Sequence, residues 1–265
     1  MQIQEFKIRK SLGEKILMVT AYDASHAKLL AATDVDLLLV GDSAAMLVHG
    51  FDSTLHATVE MMAVHTAAVV RGLRGKNKFV VADMPFLSVR KGLIYAMESV
   101  EALMRAGANA VKIEGVDGHQ EIISHIVKSG VPVMGHLGLT PQSVHQLGGY
   151  RVQAKSEEDQ KILLSDSQKL QNLGCFSVVL ECVPTQIAKT VSDSIHIPTI
   201  GIGAGPFTDG QVLVYHDLLG LNGQFKPKFL RQYLSGGQDQ LAAVNQFCKD
   251  VKIGDFPSAL ESYNS

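Results

Sequence analysis

The sequence has no excess of positive charge and no apolar run long enough to cross a membrane. Its 24 lysines and arginines face 26 acidic residues, which gives a formal net charge of −2. Proteins that bind nucleic acid use clustered positive charge to neutralise phosphates, so we expect no nucleic-acid partner. Apolar runs such as 37–40 are far too short to span a bilayer, so we expect no membrane-embedded segment.

Cysteine is also scarce. The three cysteines, Cys175, Cys182 and Cys248, are odd in number and form no CxxC pattern or cluster with histidine. A disulfide framework and a structural zinc site are therefore not expected. The segment 1–16 lacks the apolar core of a secretory signal. Together these features predict a cytoplasmic protein.

Short β-rich runs alternate with amphipathic helical segments along the chain. The runs are continuously apolar, as is typical of parallel strands that are covered by helices. Strands are predicted at 15–23, 36–43, 78–86, 109–115, 132–138, 176–182, 197–205 and 210–217. Helices are predicted at 58–72, 92–107, 118–130 and 156–174, with shorter helical patches at 227–234 and 239–251.

About eight β/α units in a chain of this length predict an α/β fold, the (β/α)8 or TIM barrel. We expect one barrel domain over residues 1–265, with extra C-terminal helices after the last unit. An open, doubly wound parallel sheet is the main alternative fold. The helical tail is suited to packing on the outside of the barrel or on a neighbouring subunit.

Charged side chains stand where the predicted strands end. These residues are Asp23, Asp42, Asp83, Glu114 and Glu181, with His136 at the matching place in 132–138. Any single acid could merely cap the helix that follows its strand. Five acids at one end of a barrel would instead crowd negative charge at the mouth, where the catalytic groups of such barrels collect. That arrangement calls for a cation or for raised pKa values.

The strand predicted at 109–115 carries a lysine whose direction can be inferred. Lys112 and Glu114 are two residues apart and share one face, while Val111 and Ile113 suit the helical layer. A lysine in the lumen is costly unless it meets anions, either the acids or a carboxylate substrate. A purely structural Lys112–Glu114 ion pair is the alternative. Carboxylate oxygens without nearby cysteine favour Mg²⁺ over Zn²⁺.

Two other features have simpler explanations. The glycines of 201–205 lack the spacing and the acidic partner of a dinucleotide-binding loop, so they indicate a close approach by a ligand or by the backbone. His65 and His125 lie within amphipathic segments and are expected to be structural. The loop after Asp42, which contains His49 and His56, is long enough to fold over the mouth as a lid.

Successive blocks of the sequence resemble the ketopantoate hydroxymethyltransferase family. The blocks follow one another in the family's order: MVTAYDASHAKL, LLLVGDSAAMLVHGFDSTLHAT, HTAAVVRG, VVADMPF, AGANAVKIEG, PVMGHLGLTPQSVHQLGGYRVQ, VLECVP and TIGIGAGPFTDGQVLVYHDLLG. The resemblance implies a barrel of the phosphoenolpyruvate/pyruvate type. It also implies transfer of a hydroxymethyl group from 5,10-methylenetetrahydrofolate to 3-methyl-2-oxobutanoate through a Mg²⁺-stabilised enolate. The product would be 2-dehydropantoate, in pantothenate biosynthesis.

The resemblance also implies roles for individual residues. The family's metal-site carboxylates match Asp42, Asp83 and Glu114. Its contacts to the 2-oxo acid match Asp42, Ser43, Asp83 and Lys112, and its proposed acid/base matches Glu181. His136 falls in a block that lines the family's active site, so we expect a supporting role for it.

Three positions depart from the family pattern. Val116 and Ala154 stand where the family commonly has glycine, and His56 stands where proline is frequent. None of the three is a metal or proton-transfer position. By resemblance we also expect a homo-oligomer, a decamer of two stacked pentameric rings.

Two other functions are compatible with a barrel of this kind. One is a Mg²⁺-dependent 2-oxo-acid lyase or aldolase of the same superfamily, although such relatives usually carry a loop cysteine that is absent here. The other is a catalytically inactive barrel with a binding or scaffolding role, which predicts lost metal carboxylates.

Overall fold

Eight short strands form the centre of the protein. We analysed a computed structural model, which describes residues 2–223 and 226–263. The strands are β1 (Ile16–Thr20), β2 (Leu37–Val40), β3 (Phe79–Asp83), β4 (Ala110–Glu114), β5 (Val133–Gly138), β6 (Ser177–Glu181), β7 (Thr199–Ile202) and β8 (Gly210–Leu213). Each lies inside its predicted range, so all eight predicted strands are confirmed.

The strands close into a parallel barrel. Each strand pairs in parallel with the next along the chain, and β1 also pairs with β8 through the register Ile16↔Gly210 to Val19↔Leu213. Because the sheet has no open edge, the predicted (β/α)8 barrel is confirmed and the open doubly wound sheet is wrong. The carboxyl ends of all eight strands therefore point to the same end of the barrel.

Helices alternate with the strands along the chain. In the described residues they are α1 (Ile3–Leu12), α2 (Ala24–Leu30), α3 (Ala44–Leu47), α4 (Val59–Leu73), α5 (Leu93–Arg105), α6 (Gln120–Lys128), α7 (Val144–Leu147), α8 (Glu157–Asn172), α9 (Thr185–Ser194), α10 (Tyr215–Leu218) and α11 (Gly236–Ile253). The four helices predicted between strands are confirmed as α4, α5, α6 and α8. Helices α1, α2 and α9 were not predicted.

The tail agrees with the prediction only in part. One compact unit ends at Leu213 and contains the whole barrel, and a second begins at Val214 and contains α10 and α11. Helix α11 confirms the patch at 239–251. The helix predicted at 227–234 is wrong, because this segment forms a turn, and Tyr233 N–H then donates to Leu218 O. A single domain over residues 1–265 stays a prediction.

Alternate side chains of the strands fill the barrel with an apolar core. Met18, Leu39, Val81 and Val179 belong to this core, together with Phe6 of α1. The Phe6 ring contacts the rings of Phe79 and Phe176 edge to face, at centroid distances of 5.3 and 4.8 Å. Phe79 and Phe176 lie at the amino-terminal ends of β3 and β6, so Phe6 closes that end of the lumen.

Ion pairs fasten α1 in this position. Lys10 Nζ lies 2.8 Å from Asp209 Oδ2, and Arg9 Nη1 lies 2.6 Å from Asp36 Oδ1. Both acids immediately precede strand residues, so the helix is attached to the amino-terminal rim of the barrel. Within residues 2–223 and 226–263, no helix has both the length and the apolarity needed to cross a membrane.

Candidate active site

Charged side chains replace the apolar core at the carboxyl ends of β2 to β6. The structure brings six of the predicted residues together there: Asp42, Asp83, Lys112, Glu114, His136 and Glu181. Strand register contributes to this arrangement, because Asp83 lies opposite Lys112 and Glu114 lies opposite His136. Neighbouring side chains on one face of a sheet contact one another directly.

Lys112 points into the lumen, as its position in β4 predicts. Its Nζ lies 2.8 Å from Asp83 Oδ1 and 3.1 Å from His136 Nδ1. Val111 and Ile113, on the opposite face, are buried against the helical layer. Burial lowers the pKa of the Lys112 ammonium, but the carboxylates around it raise that pKa above its ordinary value overall. Lys112 is therefore a permanent cation.

Asp42 and Asp83 are two neighbouring acids whose side chains lie close together. The backbone N–H of Asp42 donates to Asp83 Oδ2 at 3.0 Å. Burial, followed by the negative charges of Asp83 and Glu114, raises the pKa of Asp42 well above its usual range. Beside Asp42, Ser43 Oγ shares a 2.8 Å hydrogen bond with the hydroxyl of Tyr22. A cation near Asp42 would relieve the repulsion that raises its pKa.

His136 connects the two remaining acids. Its Nδ1 lies 3.4 Å from Glu114 Oε1, and its Nε2 lies 3.1 Å from Glu181 Oε2. Burial and Lys112 lower the pKa of His136, but its contacts with Glu114 and Glu181 raise it to about 9 overall. The two carboxylates thus favour the protonated imidazole, whereas the Lys112 ammonium 3.1 Å from Nδ1 opposes it. The Glu181 side chain is 18% exposed, against 6% or less for the other two ion-paired acids of the site, so Glu181 faces the mouth.

Gln142 belongs to the same cluster and was not predicted. It lies in the 3-10 turn Pro141–Ser143 that follows β5. Its side-chain amide donates to Asp42 Oδ2 at 2.8 Å and to Met84 O at 2.9 Å, and its backbone N–H donates to Glu114 Oε2 at 3.0 Å. The sequence signal was weak, because Gln142 stands four residues after the strand end and carries no charge.

Asp23 does not join the cluster. Its carboxylate accepts the backbone N–H of His26 at 2.8 Å and caps α2, and its side chain is 51% exposed. The capping explanation therefore holds for this acid. His65 is also structural, as expected, because its Nδ1 contacts Tyr22 O at 2.6 Å. A Cβ on Gly201 would lie 2.6 Å from Thr208 Oγ1, so close packing accounts for this glycine.

The donor set suits a hard divalent cation that completes its coordination with other ligands. Asp83 Oδ1 and Glu114 Oε1 are buried oxygens that already face positive or protonatable groups, Lys112 Nζ at 2.8 Å and His136 Nδ1 at 3.4 Å. Among those residues, no group of three or more histidine, cysteine or acidic side chains is arranged as a ready metal site. Mg²⁺ commonly binds through one or two carboxylates and retains water or substrate ligands, so the residues present fit that ion.

A (β/α)8 barrel with charged side chains at the carboxyl ends of its strands is the arrangement found in TIM-barrel enzymes. Solved structures of similar fold include a phosphonopyruvate hydrolase in complex with oxalate and Mg²⁺, with a TM-score of 0.63 at 11% identity over 98% of this chain and 92% of that one. A 2,3-dimethylmalate lyase, described as a member of the PEP mutase/isocitrate lyase superfamily, has a TM-score of 0.61 at 15% identity over 99% and 91%. At these identities the similarity shows the fold alone, and that fold is the (β/α)8 barrel.

Comparison of the sequence with known families gives the more specific result. The family model for ketopantoate hydroxymethyltransferase matches residues 1–259, and the chain belongs to this family. A 3-methyl-2-oxobutanoate hydroxymethyltransferase of Bdellovibrio bacteriovorus is 53% identical over 99% of both chains. One of Coxiella burnetii is 51% identical over 97% of this chain and 96% of its own. The predicted hydroxymethyltransferase is thus confirmed, and the lyase and inactive-scaffold alternatives are wrong.

Proposed function

We propose that this protein transfers a hydroxymethyl group from 5,10-methylenetetrahydrofolate to 3-methyl-2-oxobutanoate and so forms 2-dehydropantoate for pantothenate biosynthesis. The observation that carries the proposal is the placement of Lys112 and Glu181. A buried cation lies in the lumen, and a partly exposed carboxylate lies at the mouth above it. A small 2-oxo acid has its carboxylate at one end and its acidic C3–H at the other, which matches this arrangement.

The deep part of the site binds the 2-oxo acid. Lys112 supplies the positive charge for the substrate carboxylate, and Ser43 Oγ supplies a hydroxyl close to Asp42. A charge-assisted hydrogen bond in a buried site is stronger than one in water. Asp42 and Asp83 would hold Mg²⁺, and Glu114 would contribute a further carboxylate to the same site. When bound, Mg²⁺ supplies Lewis-acid polarisation of the 2-oxo group.

Glu181 removes the proton from C3 of the substrate. The contact between His136 Nε2 and Glu181 Oε2, 3.1 Å long, orients the carboxylate of Glu181 at the mouth. Loss of the C3 proton gives the enolate, whose C3 attacks the methylene carbon of the folate donor. Both carbon–nitrogen bonds of the methylene carbon break, one as the enolate attacks and the other as water supplies the hydroxyl oxygen. The two folate nitrogens take up the C3 proton and a water proton, and tetrahydrofolate leaves.

Exchange of the C3 hydrogen tests this assignment without folate chemistry. In D₂O with Mg²⁺, the wild-type protein is expected to exchange the C3 hydrogen of 3-methyl-2-oxobutanoate. Glu181→Gln should slow this exchange by ~10²–10⁴-fold, while calorimetry still detects binding of the 2-oxo acid. Glu121→Gln, at an exposed position on α6, is the matched control. Exchange at the wild-type rate in Glu181→Gln would refute the role, and no exchange in the wild type would refute the reaction.

The tail supports an oligomer as the working form. Leu241, Val244, Phe247 and Val251 recur at three- and four-residue steps along α11, and each is about half exposed or more. We propose that this face packs on another copy of the chain in a homo-oligomer, the decamer expected from the family. Sedimentation at micromolar concentration should show a species far larger than 28.6 kDa, and a monomer alone would contradict it. The three free thiols suit a reducing cytoplasm, where we place the protein.

A further inference from the structure

Gln142 follows strand β5 and forms hydrogen bonds to residues at the ends of β2, β3 and β4. Its amide nitrogen bridges Asp42 Oδ2, just beyond β2, and Met84 O, just beyond β3. Its backbone N–H bonds Glu114 Oε2 at the end of β4. The turn that carries Gln142 follows β5. One uncharged residue thus joins the four neighbouring strand ends around the cluster of acids.

The bonds from Gln142 leave a consistent pattern at the two acids. Asp42 Oδ2 and Glu114 Oε2 are each occupied by a Gln142 N–H group. The other oxygen of Glu114, Oε1, is buried and lies 3.4 Å from His136 Nδ1. The residue therefore fixes both carboxylates by one oxygen each and adds no charge.

We infer that Gln142 is a positioning residue that orients Asp42 and Glu114 to receive the divalent cation. This inference rests on the metal site in the proposed function. Residues that hydrogen-bond to metal ligands fix the direction of the ligand atoms, and their loss typically weakens metal binding 10–100-fold. A neutral amide is suited to this place, since a carboxylate there would repel Asp42 and an ammonium would compete with the metal.

A purely structural role for Gln142 makes a different prediction. In that case the bond to Met84 O would only fasten the turn after β5, and its loss would lower the melting temperature without a specific change in metal affinity. Cation affinity, measured on folded protein, therefore separates the two roles. Substitution by alanine removes the side-chain bonds to Asp42 and Met84 and keeps the backbone bond to Glu114.

The experiment is a calorimetric titration of Mg²⁺ into the full chain with saturating 3-methyl-2-oxobutanoate. Gln142→Ala is expected to bind Mg²⁺ about 10–100-fold more weakly than the wild type. Gln142→Met, which keeps the length of the side chain but has no hydrogen-bond donor, should also bind Mg²⁺ less well in the folded protein. Gln120→Ala is the control, because the Gln120 amide also donates to a carboxylate, Asp117 Oδ1 at 3.3 Å, but on the exposed surface.

The outcomes distinguish this inference from the function on which it rests. Wild-type Mg²⁺ affinity in both folded Gln142 variants would overturn the positioning role and leave the metal site intact. No Mg²⁺ binding by the wild type would overturn the metal site and the positioning role together. If Gln142→Ala does not fold, Gln142→Met decides, because it keeps the length of the side chain and removes only the hydrogen-bond donor.

Discussion

The ammonium of Lys112 lies 2.8 Å from Oδ1 of Asp83, and both side chains are at most 5% exposed. The two residues are register partners on β4 and β3, so the pairing of the strands sets their contact. A buried ion pair is costly to break, since the remaining charge stays in a poorly hydrated place. The pair therefore keeps a cation inside the barrel, where the substrate carboxylate can meet it.

Replacement of Lys112 by methionine should strongly weaken binding of the 2-oxo acid. The loss of one charged hydrogen bond, about 1.5–3 kcal/mol, corresponds to a roughly 10–100-fold higher KM for 3-methyl-2-oxobutanoate. The measurement is steady-state kinetics together with calorimetric binding of the acid. Lys189→Met removes an exposed ion pair with Asp193 and is the control. Unchanged affinity with only a lower melting temperature would indicate a purely structural ion pair.

Phe6→Ala should destabilise the barrel from the end that lies opposite the site. Phe6 is fully buried, and its ring fills the space between Phe79 and Phe176. Truncation of a buried phenylalanine typically costs about 3–5 kcal/mol of unfolding free energy. Urea denaturation is the measurement, and Ile8→Ala, at an exposed position on the same helix, should change stability little. Exchange of the substrate C3 hydrogen in the folded fraction should stay at the wild-type rate.

Ala154→Gly should stabilise the protein. Ala154 has a φ of 53°, in the left-handed region, and stands where the related family commonly has glycine. A non-glycine residue in this region destabilises the folded state by ~1–2 kcal/mol. Glycine removes this strain, but its greater freedom in the unfolded chain costs ~0.5–1 kcal/mol of folding free energy. We expect a net gain of about 0.5–1 kcal/mol in thermal or urea unfolding. Ala102→Gly, inside α5, should have the opposite sign, and a loss of stability in both variants would contradict the strain.

Two of the three cysteines should be nearly inert in the folded protein. Burial raises the pKa of the Cys175 thiol to about 12, and burial together with Glu181 raises that of Cys182 to about 12. A rise from 9.0 to about 12 lowers the reactive thiolate fraction roughly a thousandfold at pH 8. In a Cys248→Ser variant, iodoacetamide should therefore alkylate Cys175 and Cys182 about a thousandfold more slowly in the folded protein than in the protein unfolded by urea. The folded rate should rise about tenfold per pH unit from 7 to 9, and fast labelling at pH 8 would contradict the prediction.

The sequence predicted the parts of the fold that depend on local pattern. Continuous apolar runs located all eight strands, and the two-residue period of a strand indicated that Lys112 points inward. The role of Phe6 was not predictable, because it depends on contacts with Phe79 and Phe176, which lie far away in the chain. The turn at 227–234 was missed because its structure depends on a backbone bond from Tyr233 N–H to Leu218 O, which a short apolar pattern does not reveal.

The candidate site shows the same limit. Strand-end charges such as Asp83 and Glu181 were visible because each closes an apolar run. Asp23 closes such a run as well, but it caps a helix, and local sequence does not distinguish capping from a catalytic position. Gln142 was missed because its importance comes from the partners that the barrel brings to it. The resemblance to a family compensated for this limit only at the positions that its motifs contain.

The different depths of Lys112 and Glu181 have a consequence for the kinetics of the proposed reaction. Lys112 is the third residue of β4 and is shielded, whereas Glu181 is the last residue of β6 and faces the mouth. A folate positioned to react above Glu181 would lie between solvent and Lys112 at the mouth of the barrel. The small substrate must then enter first, and tetrahydrofolate must leave before 2-dehydropantoate. The proposed reaction should therefore follow an ordered kinetic mechanism, in which the 2-oxo acid binds before folate.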